Sequence, residues 1–70
     1  MNRFTEDVYS VLTQGPLTDG DLALILGVPT WRVRNARRYL RRRGLVTEVG
    51  RRVTIRSRSR KYRAIVWGSK

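Results

Sequence analysis

Apolar residues near the start of the chain recur at helical spacing. Phe4, Val8, Val11 and Leu12 fall on one side of a helix. The pattern predicts a first helix over about residues 4–14. Either Asn2 or Thr5 caps its start, Glu6 and Asp7 sit in the first turn where the helix dipole favours acids, and Gly15-Pro16 stops it. Leu17-Thr18-Asp19-Gly20-Asp21 opens a second helix over about 19–26, with Leu22, Ala23 and Leu26 on its inner face. Thr18 is its N-cap, and Asp21, three residues on, completes a capping box with a shorter acid than usual. Gly27 ends this helix and Val28-Pro29 makes the turn. Thr30 is expected to cap a third helix over about 31–43, which buries a thin seam of Val33, Ala36 and Leu40 and stops at Gly44.

Beyond Gly44 the period changes. Val46, Val49, Val53 and Ile55 lie in a β-branched stretch, and Tyr62 to Trp67 is a second run rich in β-branched and aromatic residues. Between them Arg56-Ser57-Arg58-Ser59-Arg60 reads as a hairpin tip. Gly50 marks either a bulge or an earlier turn, and Lys61-Tyr62 either closes the tip or opens the strand. The expectation is one α+β domain covering residues 1–70, with three helices followed by a two-stranded antiparallel hairpin over about 45–67. No internal repeat or flexible linker interrupts it.

Composition narrows the chemistry. Seventy residues are near the lower limit for folding without staples. The chain has no cysteine and no histidine, so disulfides, thiolate or imidazole metal sites and His-based nucleophile systems are excluded. Asp19 and Asp21 are accounted for by the start of the second helix, and an acid/base or two-metal site would need more acids and a cleft. The expectation is therefore a protein with no catalytic residue, no metal and no cofactor, and no small-molecule ligand is evident. No apolar run approaches the roughly 20 residues of a membrane span, and the start lacks a signal peptide's pattern. A cytoplasmic location without membrane contact follows as an expectation, on the nucleoid if the partner is DNA.

The net charge is +11, and arginine outnumbers lysine fourteen to two. Self-repulsion at this density costs stability, so the charge is read as serving a polyanion. Solubility alone makes no demand for arginine, whereas its planar, bidentate donors suit phosphates and guanine edges. The densest block runs from Thr30 to Arg43, on the third helix.

The phrase Leu17-Thr18-Asp19-Gly20-Asp21-Leu22-Ala23-Leu24-Ile25-Leu26-Gly27-Val28-Pro29, followed by Val33 to Arg43 and Gly44-Leu45-Val46, resembles the winged helix-turn-helix domain of bacterial repressors of the MarR and GntR kind. The likeness covers nearly the whole chain and is poorly specific for any one subfamily. It implies that the third helix enters the major groove of double-stranded DNA and that the hairpin, the wing, touches flanking backbone or minor groove. Two departures stand out. Arg37 occupies a usually apolar position, and the expectation is that no dimerisation or effector region follows the wing. The expectation is a small phage or plasmid regulator or accessory factor.

On a helical wheel Trp31, Asn35, Arg38 and Arg42 fall opposite the seam, flanked by Arg34 and Arg41. Arg34, Asn35 and Arg38 are the candidates for base edges, since Arg pairs with guanine and Asn with adenine. Thr30, Trp31, Arg41 and Arg42 are the candidates for the DNA backbone. Trp31 has an equal alternative, packing on the turn near Val28. Arg32 points off-centre, toward backbone or wing. Arg37 is expected to snorkel toward water or an acid such as Glu6 or Asp7. Arg56, Arg58, Arg60 and Lys61 are the candidate wing contacts, slim enough for a narrow minor groove. Tyr62 and Trp67 are read as packing rather than stacking platforms. Leu24 and Ile25 stand at outer positions of the second helix. Either they form a patch for a second copy on DNA or a host protein, or the wing or first helix covers one of them. Two other functions stay open: an RNA-binding or ribosome-associated basic protein, and a phage interaction module engaging a host factor.

Overall fold

Asn2 starts the first helix: its Oδ1 accepts the Thr5 N–H at 2.8 Å, which settles the choice of cap in its favour. The computed structural model describes residues 1–56 and 60–70, and the side chains of 1–53 and 63–70. Helix α1 spans Arg3–Thr13 and buries Thr5, Val8 and Leu12, with Phe4, Tyr9 and Val11 half-buried beside them. A two-residue strand, β1, follows at Leu17–Thr18. Helix α2 spans Asp19–Leu26, α3 spans Thr30–Arg42, strand β2 spans Val46–Arg56 and strand β3 spans Arg60–Ser69.

The capping box at α2 is complete. The Asp21 N–H donates to Thr18 Oγ1 at 3.1 Å, and the Thr18 N–H donates to Asp21 Oδ2 at 3.2 Å. Gly27 ends α2 in the left-handed region at φ 66°, where a side chain would be strained. Helix α3 departs from expectation at its start. Thr30 is the first helical residue and Pro29 is the cap, without a side-chain hydrogen bond. The Pro29 backbone, extended at φ −64° and ψ 150°, takes the flanking position itself. Its carbonyl then accepts the Arg32 N–H at 3.1 Å.

The sheet has three antiparallel strands in the order β1-β3-β2, which corrects the two-stranded expectation. The added strand pairs Leu17 with Trp67 and Thr18 with Val66. Two residues are too few to show a period in sequence, and Leu17-Thr18 was legible only as a helix opening. Between β2 and β3 the register slips. Glu48 faces Trp67 and Gly50 faces Val66, so Val49 is the extra residue of a bulge. Gly50 is thus part of a bulge and not of an early turn. Gly68 lies where a Cβ would come within 3.1 Å of Val49, so the strands approach closely there.

Val8, Leu12, Leu22, Ala23, Val33, Ala36, Leu40, Val46 and Trp67 form one core beneath the helices and sheet. Of the β-branched residues expected in the first hairpin strand, Val46 is buried, while Val49 and Val53 are exposed. Ile55 has its side chain outside the described residues. Among the described residues no helix is long and apolar enough to cross a membrane.

Candidate nucleic-acid interface

Helix α3 sorts its side chains cleanly. Val33, Ala36 and Leu40 are buried, and Thr30, Trp31, Arg34, Asn35, Arg38, Arg41 and Arg42 are exposed. Every candidate contact residue of this helix therefore reaches solvent. Trp31 is 61% exposed and is not packed away on the turn.

The exposed residues do not form one uniform face. Arg34, Arg38, Arg41 and Arg42 join Arg37, Ile65 and Trp67 around an open cleft of about 760 Å³ between α3 and β3. Asn35 instead lines a cleft of about 390 Å³ on the other flank, with Arg32, Tyr39 and the start of α1. The three base-edge candidates are thus divided: Arg34 and Arg38 on the sheet side, Asn35 on the α1 side. Arg32 also belongs to that second flank. Its guanidinium lies 4.4 Å from the Phe4 ring centroid, a cation–π contact with α1.

Among the described residues Arg37 is the buried arginine, at 9% exposure. Its acid is Asp19, not Glu6 or Asp7. Nε donates to Oδ1 at 3.2 Å and Nη2 to Oδ2 at 2.7 Å. Glu6 and Asp7 are exposed on α1, while Asp19 at the start of α2 is three-quarters or more shielded beside α3. The guanidinium also lies 4.1 Å from the Trp67 ring, and Arg41 approaches the same indole at 5.3 Å. Trp67 is fully buried, as its packing role requires, yet it also floors the cationic cleft. Sequence reasoning missed this stack. The signal was present: an arginine beside an apolar seam needs an acid, and the capping box of α2 uses Asp21 and leaves Asp19 over.

Asp21 accepts from Arg52 as well as from Thr18, tying β2 to the start of α2. Burial pushes its carboxyl up, but the Thr18 and Arg52 hydrogen bonds outweigh that and hold it below its ordinary value. Arg51 lies 3.8 Å from Glu48 in an exposed pair of little energetic weight. Among the described residues, Arg34, Arg38, Arg41 and Arg42 form no ion pair, so their charge faces solvent uncompensated.

The wing candidates Arg56, Arg58, Arg60 and Lys61 have side chains outside the described residues, as does Tyr62. The β2 and β3 strands bring the backbones of Arg56 and Arg60 opposite each other. Leu24 and Ile25 are 84% and 57% exposed, so neither α1 nor the described part of the sheet covers them. Among the described residues no three acids gather into a group able to hold a metal ion. No protein-family model matches the chain, and no curated protein matches it significantly.

Proposed function

We propose that the chain is a winged-helix protein that binds double-stranded DNA sequence-specifically, as a transcriptional regulator or a phage-type accessory factor, and not an enzyme. The layout of three helices and an antiparallel sheet is compatible with that fold. One observation carries the reading. Helix α3 anchors on Val33, Ala36 and Leu40 and presents Arg34, Arg38, Arg41 and Arg42 to one open cleft, with no acid of the described chain neutralising them. A helix about 10–12 Å across is the size a B-form major groove admits. Arg34 and Arg38 then read guanine edges, and Asn35, on the other flank, reads an adenine displaced toward the α1 side. Thr30, Trp31, Arg41 and Arg42 meet backbone, and the arginines of the hairpin tip extend the footprint. In this reading the protein sits on the nucleoid.

The test is in-vitro selection of duplex sites by the purified protein at near-physiological salt, followed by competition with duplex RNA. A conserved motif recovered from the DNA pool, and preference for DNA, are the expected results. The deep, narrow major groove of A-form RNA excludes a helix, so preference for RNA at matched salt would overturn the proposal. Random and selected duplexes binding alike would leave only a non-specific cationic coat.

A further inference from the structure

Beyond the two acids of its first turn, helix α2 is apolar on every side. From Leu22 to Leu26 it reads Leu-Ala-Leu-Ile-Leu, without a charged or polar residue. A helix of that kind is normally covered all round. Here Leu22 and Ala23 are buried and Leu26 is half-buried, while Leu24 and Ile25 stand on the opposite face, 84% and 57% exposed. A single exposed leucine is ordinary. Two neighbouring aliphatic residues left bare on a helix without any Lys or Arg, in a chain that is 30% charged, are not. We propose that the outer face of α2, centred on Leu24 and Ile25, is the surface by which two copies of this chain associate.

Charge distribution selects a second copy. Residues 1–29 carry one base, Arg3, against Glu6, Asp7, Asp19 and Asp21, for a net −3. Residues 30–70 carry fifteen bases against Glu48 alone, for a net +14. Two chains of net charge +11 repel one another over most of their surface. Two copies meet with least repulsion where arginines are fewest, and α2 itself carries none. Within α2 itself the acids are spoken for: Asp19 holds Arg37 and Asp21 holds Arg52. A two-fold axis through the patch sets aliphatic side chains against aliphatic side chains, with no unmatched donor or acceptor. Where that axis lies perpendicular to α2, the two helices run antiparallel, which suits their dipoles. An acidic partner, by contrast, is drawn to α3 and not to α2.

The patch is far smaller than the roughly 800 Å² per partner of a stable interface, so free chains associate weakly. Salt then distinguishes this contact. Screening relieves the repulsion between copies, so self-association strengthens as salt rises.

Sedimentation velocity on the purified chain, freed of nucleic acid, tests this over a concentration series at low and high salt. The expected result is a sedimentation coefficient that climbs toward a dimer with concentration, more steeply at high salt, and stays monomeric in Leu24→Glu and Leu24→Ser. Both variants should keep the wild-type far-UV circular dichroism, because the side chain lies outside the core. A wild type that stays monomeric at millimolar concentration and high salt overturns the proposal, and so does association that persists in Leu24→Glu. The absence of native cysteine allows a second measurement. Leu24→Cys oxidised with diamide should give a covalent dimer much faster than Thr13→Cys, an exposed control on α1. Equal rates at the two positions also overturn it. Neither arm contains DNA, so failure here leaves the DNA reading standing, and failure of that reading leaves this one.

Discussion

Arg37 and Asp19 are joined by two hydrogen bonds across eighteen residues of chain, with the guanidinium lying 4.1 Å from the Trp67 ring. The pair ties the middle of α3 to the first turn of α2 and lays both on β3. It also removes one arginine from the pool that can meet a polyanion. Arg37 stands where the third helix would be expected to carry an apolar residue, and Asp19 is what makes a charge tolerable there. The cleft beside it is left with Arg34, Arg38, Arg41 and Arg42 as its solvent-facing cations.

Breaking this pair from its two ends should have unequal effects. Asp19→Ala leaves a guanidinium that is 11% exposed without an acceptor, and should cost about 3 kcal/mol. Arg37→Met keeps the stem's packing on Trp67 and leaves a carboxylate at the start of a helix, where the dipole favours it, so the loss should be smaller. The double variant Asp19→Ser/Arg37→Met should recover most of the stability lost in Asp19→Ala. Urea denaturation of the four proteins checks the order. Equal losses in both single variants would show the pair to be incidental.

Position along α3 divides the roles of arginines that share one cleft. Arg38 lies near the centre of the exposed face of α3, and Arg42 is one turn further on. Arg38→Ala should therefore flatten the preference at one base position, costing about 1–3 kcal/mol on the selected site and little on random duplex. Arg42→Ala should weaken all duplexes by a similar factor. The measurement is a binding competition across single-base variants of the selected site. Parallel losses across every sequence for both proteins would refute the division.

Much of this architecture was legible because it rests on local rules. The seam Val33, Ala36 and Leu40, the Thr18–Asp21 box and the stops at Gly27 and Gly44 each follow from short-range spacing, and each is present. What escaped was mostly long-range. β1 exists only because Leu17 and Thr18 meet Trp67 and Val66, some fifty residues away, and two residues carry no period of their own. Pro29 displaced Thr30 as the cap because both fit the start of a helix and spacing alone does not rank them. The partner of Arg37 depended on which helix start packs beside α3. The division of Asn35 from Arg34 and Arg38 depended on what flanks α3, and a wheel drawn for one helix has no flanks.

Asp21 gives the fold an acid-side dependence with a definite sign. Its carboxyl in the folded chain is held below the ordinary value of 3.8, because hydrogen bonds from Thr18 and Arg52 outweigh burial. The unfolded chain therefore binds this proton more readily, and the stabilisation is complete above the ordinary value. It is lost as pH falls from there through the lowered value. Thermal unfolding of wild type and Asp21→Asn across that range should show a stability gap that is widest near neutrality and closes in acid. A gap that stays constant as the pH falls would mean that Asp21 acts through shape and not through charge.

The uncompensated cations of α3 set the salt dependence of binding. If about six phosphates are neutralised, log K should fall with log salt concentration at a slope of roughly −5. Each phosphate contact contributes about 0.9 to that slope, so Arg42→Ala should make it shallower by about that amount. Arg52→Gln should change it less, because Arg52 already holds Asp21 and releases fewer counterions on binding. Fluorescence anisotropy titrations at several salt concentrations give all three slopes. The self-association proposed for α2 moves the other way with salt, so the two processes separate in a single titration series even if both occur. A wild-type slope near zero would mean that the arginines of α3 never meet a phosphate backbone, and the DNA reading would fall with it.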